Sequence, residues 1–244
     1  MFALYKKELQ SFFFSPFAYV LASLFMFIFS VSFISAIADL SGTNTLKFSF
    51  PNIFYNNFFY FIFIIPILTM RSFADERRGG TEVLLLSSPL SVPKIVLAKF
   101  FSIVTIYLFM ILTTLFFPIY IAGHGVVQWS ALICAYLGFF LWGLVCIAVG
   151  MLLSQLTGNA IIAAIIGEII MEGLLFLDLF GATALVNAYP RLNSVITWFS
   201  MQRRFLYFSQ GMFRLEDLVF FLSLTAVVVC WNIIAIEKRR YSRS

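Results

Sequence analysis

The side chains in this sequence that could do chemistry fall largely in one run, from Arg71 to Lys94. Asp75, Glu76, Arg77 and Arg78 put both signs of charge at four consecutive positions, and Gly79 and Gly80 follow. Side chains of both signs make charge-assisted hydrogen bonds to another protein, and paired glycines break the helix that presents them. Residues 81–86 then have the pattern of a short amphipathic helix. Thr81 is placed to cap it, Glu82 adds a charge, and Val83, Leu84 and Leu85 form an apolar docking face. Pro89 and Pro93 turn the chain back. A plain turn between two apolar runs needs neither this length nor this mixture. Asp75, Glu76, Arg77, Arg78, Thr81, Glu82, Leu84 and Leu85 are therefore the candidate residues for binding a soluble partner.

Glu168 and Glu172 form a second pair. Four residues apart, they share one helical face inside an apolar run. A carboxylate at membrane depth is expensive, so it faces a cavity or partner, or is protonated. Three roles stay open for the pair: lining a translocation surface, packing between helices, or lying near the external interface. Asp178 marks the exit of that helix. Two glutamates alone do not establish proton transport.

Several chemistries are excluded. No Gly-x-x-x-x-Gly-Lys-[Ser/Thr] loop is present, so this chain does not bind and hydrolyse ATP by that device. It also lacks a His-Glu-x-x-His site, a nucleophile elbow and a clustered Cys/His constellation. His124 stands alone in a Gly-His-Gly turn, and Cys134, Cys146 and Cys230 lie in apolar runs as small buried hydrophobes. The chain is expected to be neither an enzyme nor a holder of its own cofactor or metal.

The elements that carry these residues belong in a bilayer. Hydrophobic residues make up 62% of the chain, charged residues only 11%, and Phe fills 32 positions; mean hydropathy is +1.00. A water-soluble fold needs more polar surface than this, whereas lipid removes the need. The net charge of +5 is no sign of nucleic-acid binding, because Lys and Arg sit at the ends of apolar runs instead of on one face. Residues 1–16 mix Leu4, Tyr5, Leu9 and Phe12 with Lys6, Lys7 and Glu8, which suits an interfacial helix. The apolar stretch that follows lacks a small-residue cleavage signature and is expected to stay in the membrane.

Six spans are predicted, at about 17–38, 54–70, 95–121, 131–153, 160–177 and 214–236. Pro66 is placed to kink the second. Gly138, Gly143, Ala148 and Gly150, and then Ala160, Ala163, Ala164 and Gly167, offer sites of close helix approach. Residues 178–213 form an external loop whose part at 190–208 suits an interfacial or re-entrant element. This topology puts eleven basic residues inside and five outside, counted over the 16 Lys and Arg. Both termini and the 71–94 loop are then cytoplasmic.

Two stretches resemble one family. Phe73 through Ser91, with Glu76, Gly80-Thr81-Glu82 and Ser88-Pro89, looks like the cytosolic coupling-helix region of ABC-2-type exporter permeases. Gly138 through Ala164 is a second match, above all Ala148 to Ala164, and Phe205, Gly211 and Asp217 extend it to the last span. Within that family the chain resembles the permease subunit of the bacterial gliding-motility transporter and related copper-processing export permeases. It departs from the pattern at Ala160, often Gln in the family, and at Glu168 and Glu172.

The resemblance implies an all-α, six-span, type V exporter-like permease forming a single domain over 1–244 in the bacterial cytoplasmic (inner) membrane. It also implies two separately encoded cytosolic ATPase subunits carrying ATP and Mg, a second and identical permease, and an accessory membrane or periplasmic protein. Residues 75–92 would transmit ATPase movement to the spans. A motility scaffold built on the same fold and an ion-driven secondary transporter are the alternative functions.

Overall fold

The computed structural model describes residues 1–42, 50–88, 90–123, 127–181 and 190–242, and these are helical with no strand among them. In chain order the helices are α1 (Phe2–Phe13), α2 (Pro16–Gly42), α3 (Phe50–Thr69), α4 (Arg71–Arg78), α5 (Glu82–Leu86), α6 (Val92–Thr113), α7 (Phe116–Ala122), α8 (Trp129–Leu156), α9 (Ala160–Gly181), α10 (Pro190–Phe199), α11 (Met201–Ser209) and α12 (Leu215–Ser242).

Four stretches are long and apolar enough to cross a membrane: Pro16–Ala38, Val92–Ala122, Trp129–Leu156 and Leu215–Arg240. A fifth is bent by 48° between Ile53–Tyr60 and Ile62–Arg78. Pro66 accounts for the bend, because its ring meets the carbonyl of residue 62 and it has no N–H to donate there. The span expected at 160–177 falls within α9, whose helix runs three residues past Asp178 instead of ending there. The Gly-His-Gly turn at His124 lies outside the described residues.

α8 is the centre of the bundle: α3, α6, α9, α11 and α12 all pack on it, as does the short α4. Its core contacts are aromatic. Phe54 meets Phe29 at 5.4 Å and Phe139 at 5.5 Å, while Phe58 lies 4.4 Å from Trp142 and 4.8 Å from Phe205. Lipid gives helices no hydrophobic reason to associate, so contact quality has to hold them. Edge and offset aromatic pairs supply about 0.5–1.5 kcal/mol each beyond their area. Of the three cysteines, Cys146 is buried, Cys134 is half-buried and Cys230 is exposed on α12, contrary to the expectation that all three are buried.

The expected close approaches occur on α8. A Cβ at Gly138 would overlap Phe208, one at Gly143 the ring of Tyr107, and one at Gly150 the side chain of Thr69. Neither of the last two neighbours can retreat easily. The Tyr107 hydroxyl donates to the Phe139 carbonyl at 2.8 Å, and Thr69 Oγ1 donates to the carbonyls of Ile65 and Pro66. On α9, Gly167 sits against Pro66 and Leu153.

Gly150→Val and Gly143→Val should each lower stability by roughly 1–3 kcal/mol through overpacking. Gly173→Ala, where an added Cβ meets nothing within 4 Å, should leave stability unchanged or raise it by about 0.5–1 kcal/mol. Thermal unfolding of the three variants in one detergent checks the ordering.

Candidate functional site

The charged run builds one end of the bundle. α4 continues from the bent span as about two turns of charged helix. Gly79 closes it, and Gly80, at φ +70°, reverses the chain into α5. Only a residue without Cβ takes that conformation cheaply. Ser72, Phe73 and Ala74 are buried, whereas Asp75, Arg77 and Arg78 are exposed.

Behind α4 lies a buried ammonium. Lys99, on α6, is 1% exposed. Its Nζ donates to Glu76 Oε1 at 2.9 Å, to Glu8 Oε1 at 3.0 Å and to the Ser72 carbonyl at 2.8 Å. It also stands 5.1 Å from the centre of the Phe73 ring. All three donors of the ammonium are thus satisfied, by α1 on one side and α4 on the other. A cleft of about 250 Å³ between α1 and α4 reaches this cluster. The Val92–Ala122 stretch is on the order of 45 Å long at 1.5 Å per residue, well beyond a hydrocarbon core of about 30 Å. Its first turns therefore have room to lie at the interface with Lys99.

Two further ties bind α4 to α8. The Ser154 hydroxyl accepts the backbone N–H groups of Phe73 and Ala74, both at 3.1 Å, and donates to the Met70 carbonyl at 2.7 Å. It caps α4 from another helix, supplying the partner that the N-terminal amides lack. Arg77 Nη1 returns the contact, donating to the carbonyls of Gln155 and Leu156 at the end of α8. A cation at a helix C-terminus is favourable. Gln155 continues inward: its Nε2 donates to Asn232 Oδ1 at 2.6 Å, and Asn232 donates to the Ala148 carbonyl at 3.0 Å. α5 is held to α12 by Glu82 and Arg239 at 3.6 Å.

The expected docking residues therefore divide. Glu76, Arg77 and Glu82 bond to the protein's own helices, and Leu85 packs with Leu90 and Tyr5 against Leu4, Ile95 and Ala98. Thr81 does not cap α5; its side chain makes no cap bond there and donates instead to the Glu76 carbonyl at 3.3 Å. What faces outward is Asp75 and Arg78 on α4 and, on α5, Val83 at 55% and Leu84 at 73% exposure. A five-residue helix can bury only one side, and the packing of Leu85 leaves its two apolar neighbours facing out.

Glu168 and Glu172 are not brought to this cluster. α9 buries Ala163, Gly167 and Met171 against α3 and α8 and exposes Ile161, Ile165 and Ile169. The two glutamates lie half-buried on the stripe between these faces, and Glu168 Oε2 is enclosed without a hydrogen-bond partner. Among the described residues, no group of three His, Cys, Asp or Glu side chains is placed to hold a metal ion.

Lys99, Ser154 and Asn232 escaped the sequence reading, which counted Lys99 only toward charge topology. The available signal was a lysine inside an apolar run, which by default marks a paired or functional site.

A family model described as an ABC-2 family transporter protein matches residues 39–235. No curated protein matches the sequence.

Breaking a buried ion pair by removing one partner costs about 3–5 kcal/mol, because the other charge stays behind. Lys99→Met should therefore destabilise the protein by an amount in that range. Adding Glu8→Gln and Glu76→Gln to it should restore much of the loss. A triple variant as unstable as the single one, by thermal unfolding in detergent, would contradict the charge-pairing account.

Proposed function

The chain belongs to the ABC-2 transporter family, and from that premise we propose that it is the permease subunit of an ABC exporter in a bacterial cytoplasmic membrane. ATP, with Mg, is bound and hydrolysed by a separate cytosolic subunit, two copies of which serve a pair of permeases. α9 completes six spans. The end of the bundle that carries α1, α4, α5 and the last turns of α12 faces the cytoplasm, in keeping with its Lys and Arg residues.

The observation that carries this reading is the exposed tip formed by Val83 and Leu84 on α5, together with the exposed Asp75 and Arg78 on α4, on helices braced from behind. An apolar anchor with charged neighbours is what a partner groove recognises. The bracing gives the contact a mechanical consequence. A push on α5 passes through Glu82 to α12, and a push on α4 passes through Ser154 to α8 and through Lys99 to α6 and α1. Closure of the ATPase pair would bias the bundle between two arrangements, provided the partner binds them unequally. Glu168 and Glu172 then belong to the surface along which cargo moves.

Leu84→Asp should weaken ATPase-subunit binding at least tenfold, the scale on which a central interface anchor acts, while the permease alone melts as before. Binding and stimulated ATP turnover that are unchanged by this substitution would remove α5 from the interface. Charge reversal at Glu76 or Glu82 is a poorer probe, since both side chains also hold the permease together.

Glu172→Gln should lower ATP-driven transport in liposomes at equal protein abundance and leave assembly with the ATPase intact. Equal transport would leave the glutamates a packing role.

A further inference from the structure

At the opposite end of the bundle, α10, α11 and the start of α12 enclose a second charged site. Arg204 Nη1 donates to Asp217 Oδ1 at 2.6 Å, and Nη2 donates to the Trp198 carbonyl at 3.0 Å. The guanidinium lies 4.1 Å over the Phe220 ring. These contacts close the floor of an open cavity of about 340 Å³, which Arg203, Arg214, Glu216 and Asp217 also line. That volume is within the range of small-ligand sites, roughly 300–1,000 Å³. At its rim, Arg214 meets Glu216 at 3.2 Å, and both side chains are well exposed.

Two observations say what this cavity would take. The first is the arrangement of charge. The exposed guanidinium groups of Arg203 and Arg214 suit the oxygens of a phosphate ester, and the carboxylates of Glu216 and Asp217 suit an ammonium. Asp217 is 1% exposed, yet its Oδ2 has no hydrogen-bond partner. A buried carboxylate oxygen left without a donor is costly, and a ligand N–H would supply one. The second is the setting. Trp198 lines the cavity, and Phe199, Met212, Phe213 and Leu215, on the segments that contribute to it, are large, apolar and exposed. An apolar, aromatic rim beside charged groups at the end of membrane spans places the cavity at headgroup depth.

We propose that this cavity binds the headgroup of a zwitterionic phospholipid with a primary ammonium, a phosphoethanolamine lipid. The phosphate lies toward Arg203 and Arg214, the ammonium toward Glu216 and Asp217, and the acyl chains run down the exposed apolar face of α12 along Val219 and Leu222. The inference rests on the membrane-spanning fold and not on the ATPase reading, so the two fail separately.

The test uses the full-length chain in detergent, titrated with short-chain phosphatidylethanolamine, phosphatidylcholine, phosphatidylglycerol and soluble phosphoethanolamine, with binding read by native mass spectrometry. A quaternary ammonium has no N–H for Asp217, and phosphatidylglycerol has no cation. Phosphatidylethanolamine should therefore bind about tenfold more tightly than either, the scale of one charge-assisted hydrogen bond. Arg203→Gln combined with Arg214→Gln should weaken binding of all three lipids about tenfold, because the phosphate is common to them, and Glu216→Gln should reduce the preference for phosphatidylethanolamine without shifting the melting temperature measured without lipid. Equal binding of the three lipids, lipid binding undiminished by the double arginine variant, or soluble phosphoethanolamine binding as tightly as the lipid would each overturn the proposal.

Discussion

A lysine ammonium enclosed by protein must be given partners, and at Lys99 that requirement determines how one end of this molecule is built. Its three acceptors come from α1 and α4, two elements far apart in sequence, so neither can move without taking at least one acceptor from a buried ammonium. Replacing such a cluster with apolar groups is often neutral or stabilising, which makes it a poor device for stability alone. What it supplies is geometry. It fixes the position of a short charged helix that, at eight residues, could not hold itself in place.

The same logic recurs wherever a short helix must be attached to a long one. Ser154 of α8 accepts from the first amides of α4, and Arg77 of α4 donates to the last carbonyls of α8. At the far end, Arg204 ties α11 to Asp217 in the first turn of α12 and reaches back to the Trp198 carbonyl of α10. Between the long spans such ties are fewer, Tyr107 to the Phe139 carbonyl and Gln155 to Asn232 among them. Aromatic contacts and glycine-permitted approaches hold most of the length of these helices, and those forces grow with the length of the contact. Polar ties at the ends and packing in the middle is the division expected when water is present only at the ends.

Much of the architecture was legible because composition and helix length report directly on a bilayer. The helix α1, the bend just before Pro66, the turn at Gly79 and Gly80 and the small residues facing their neighbours on α8 all follow from local rules. The site was only half legible. A run of mixed charge shows that something binds there, but it cannot show whether the partner is another protein or the chain's own helices. Glu76 and Glu82 are answered by Lys99 and Arg239, 23 and 157 residues away in sequence, and no local pattern encodes such pairings. Leu84 and Leu85 look alike in sequence, and packing against α1 and α6 separates their roles.

That division changes what the loop is. With Glu76, Arg77, Glu82 and Leu85 committed inward, the outward surface reduces to an apolar tip beside Asp75 and Arg78. An interface made chiefly of long-range charge would associate quickly but transmit little, since screened charges tolerate sliding. An apolar anchor seated in a groove fixes register. The inward charges then connect that anchor to the two termini and to three of the long helices. Under the proposed coupling role, the residues most conspicuous in the sequence serve the connection, and the plainer Val83 and Leu84 serve the contact.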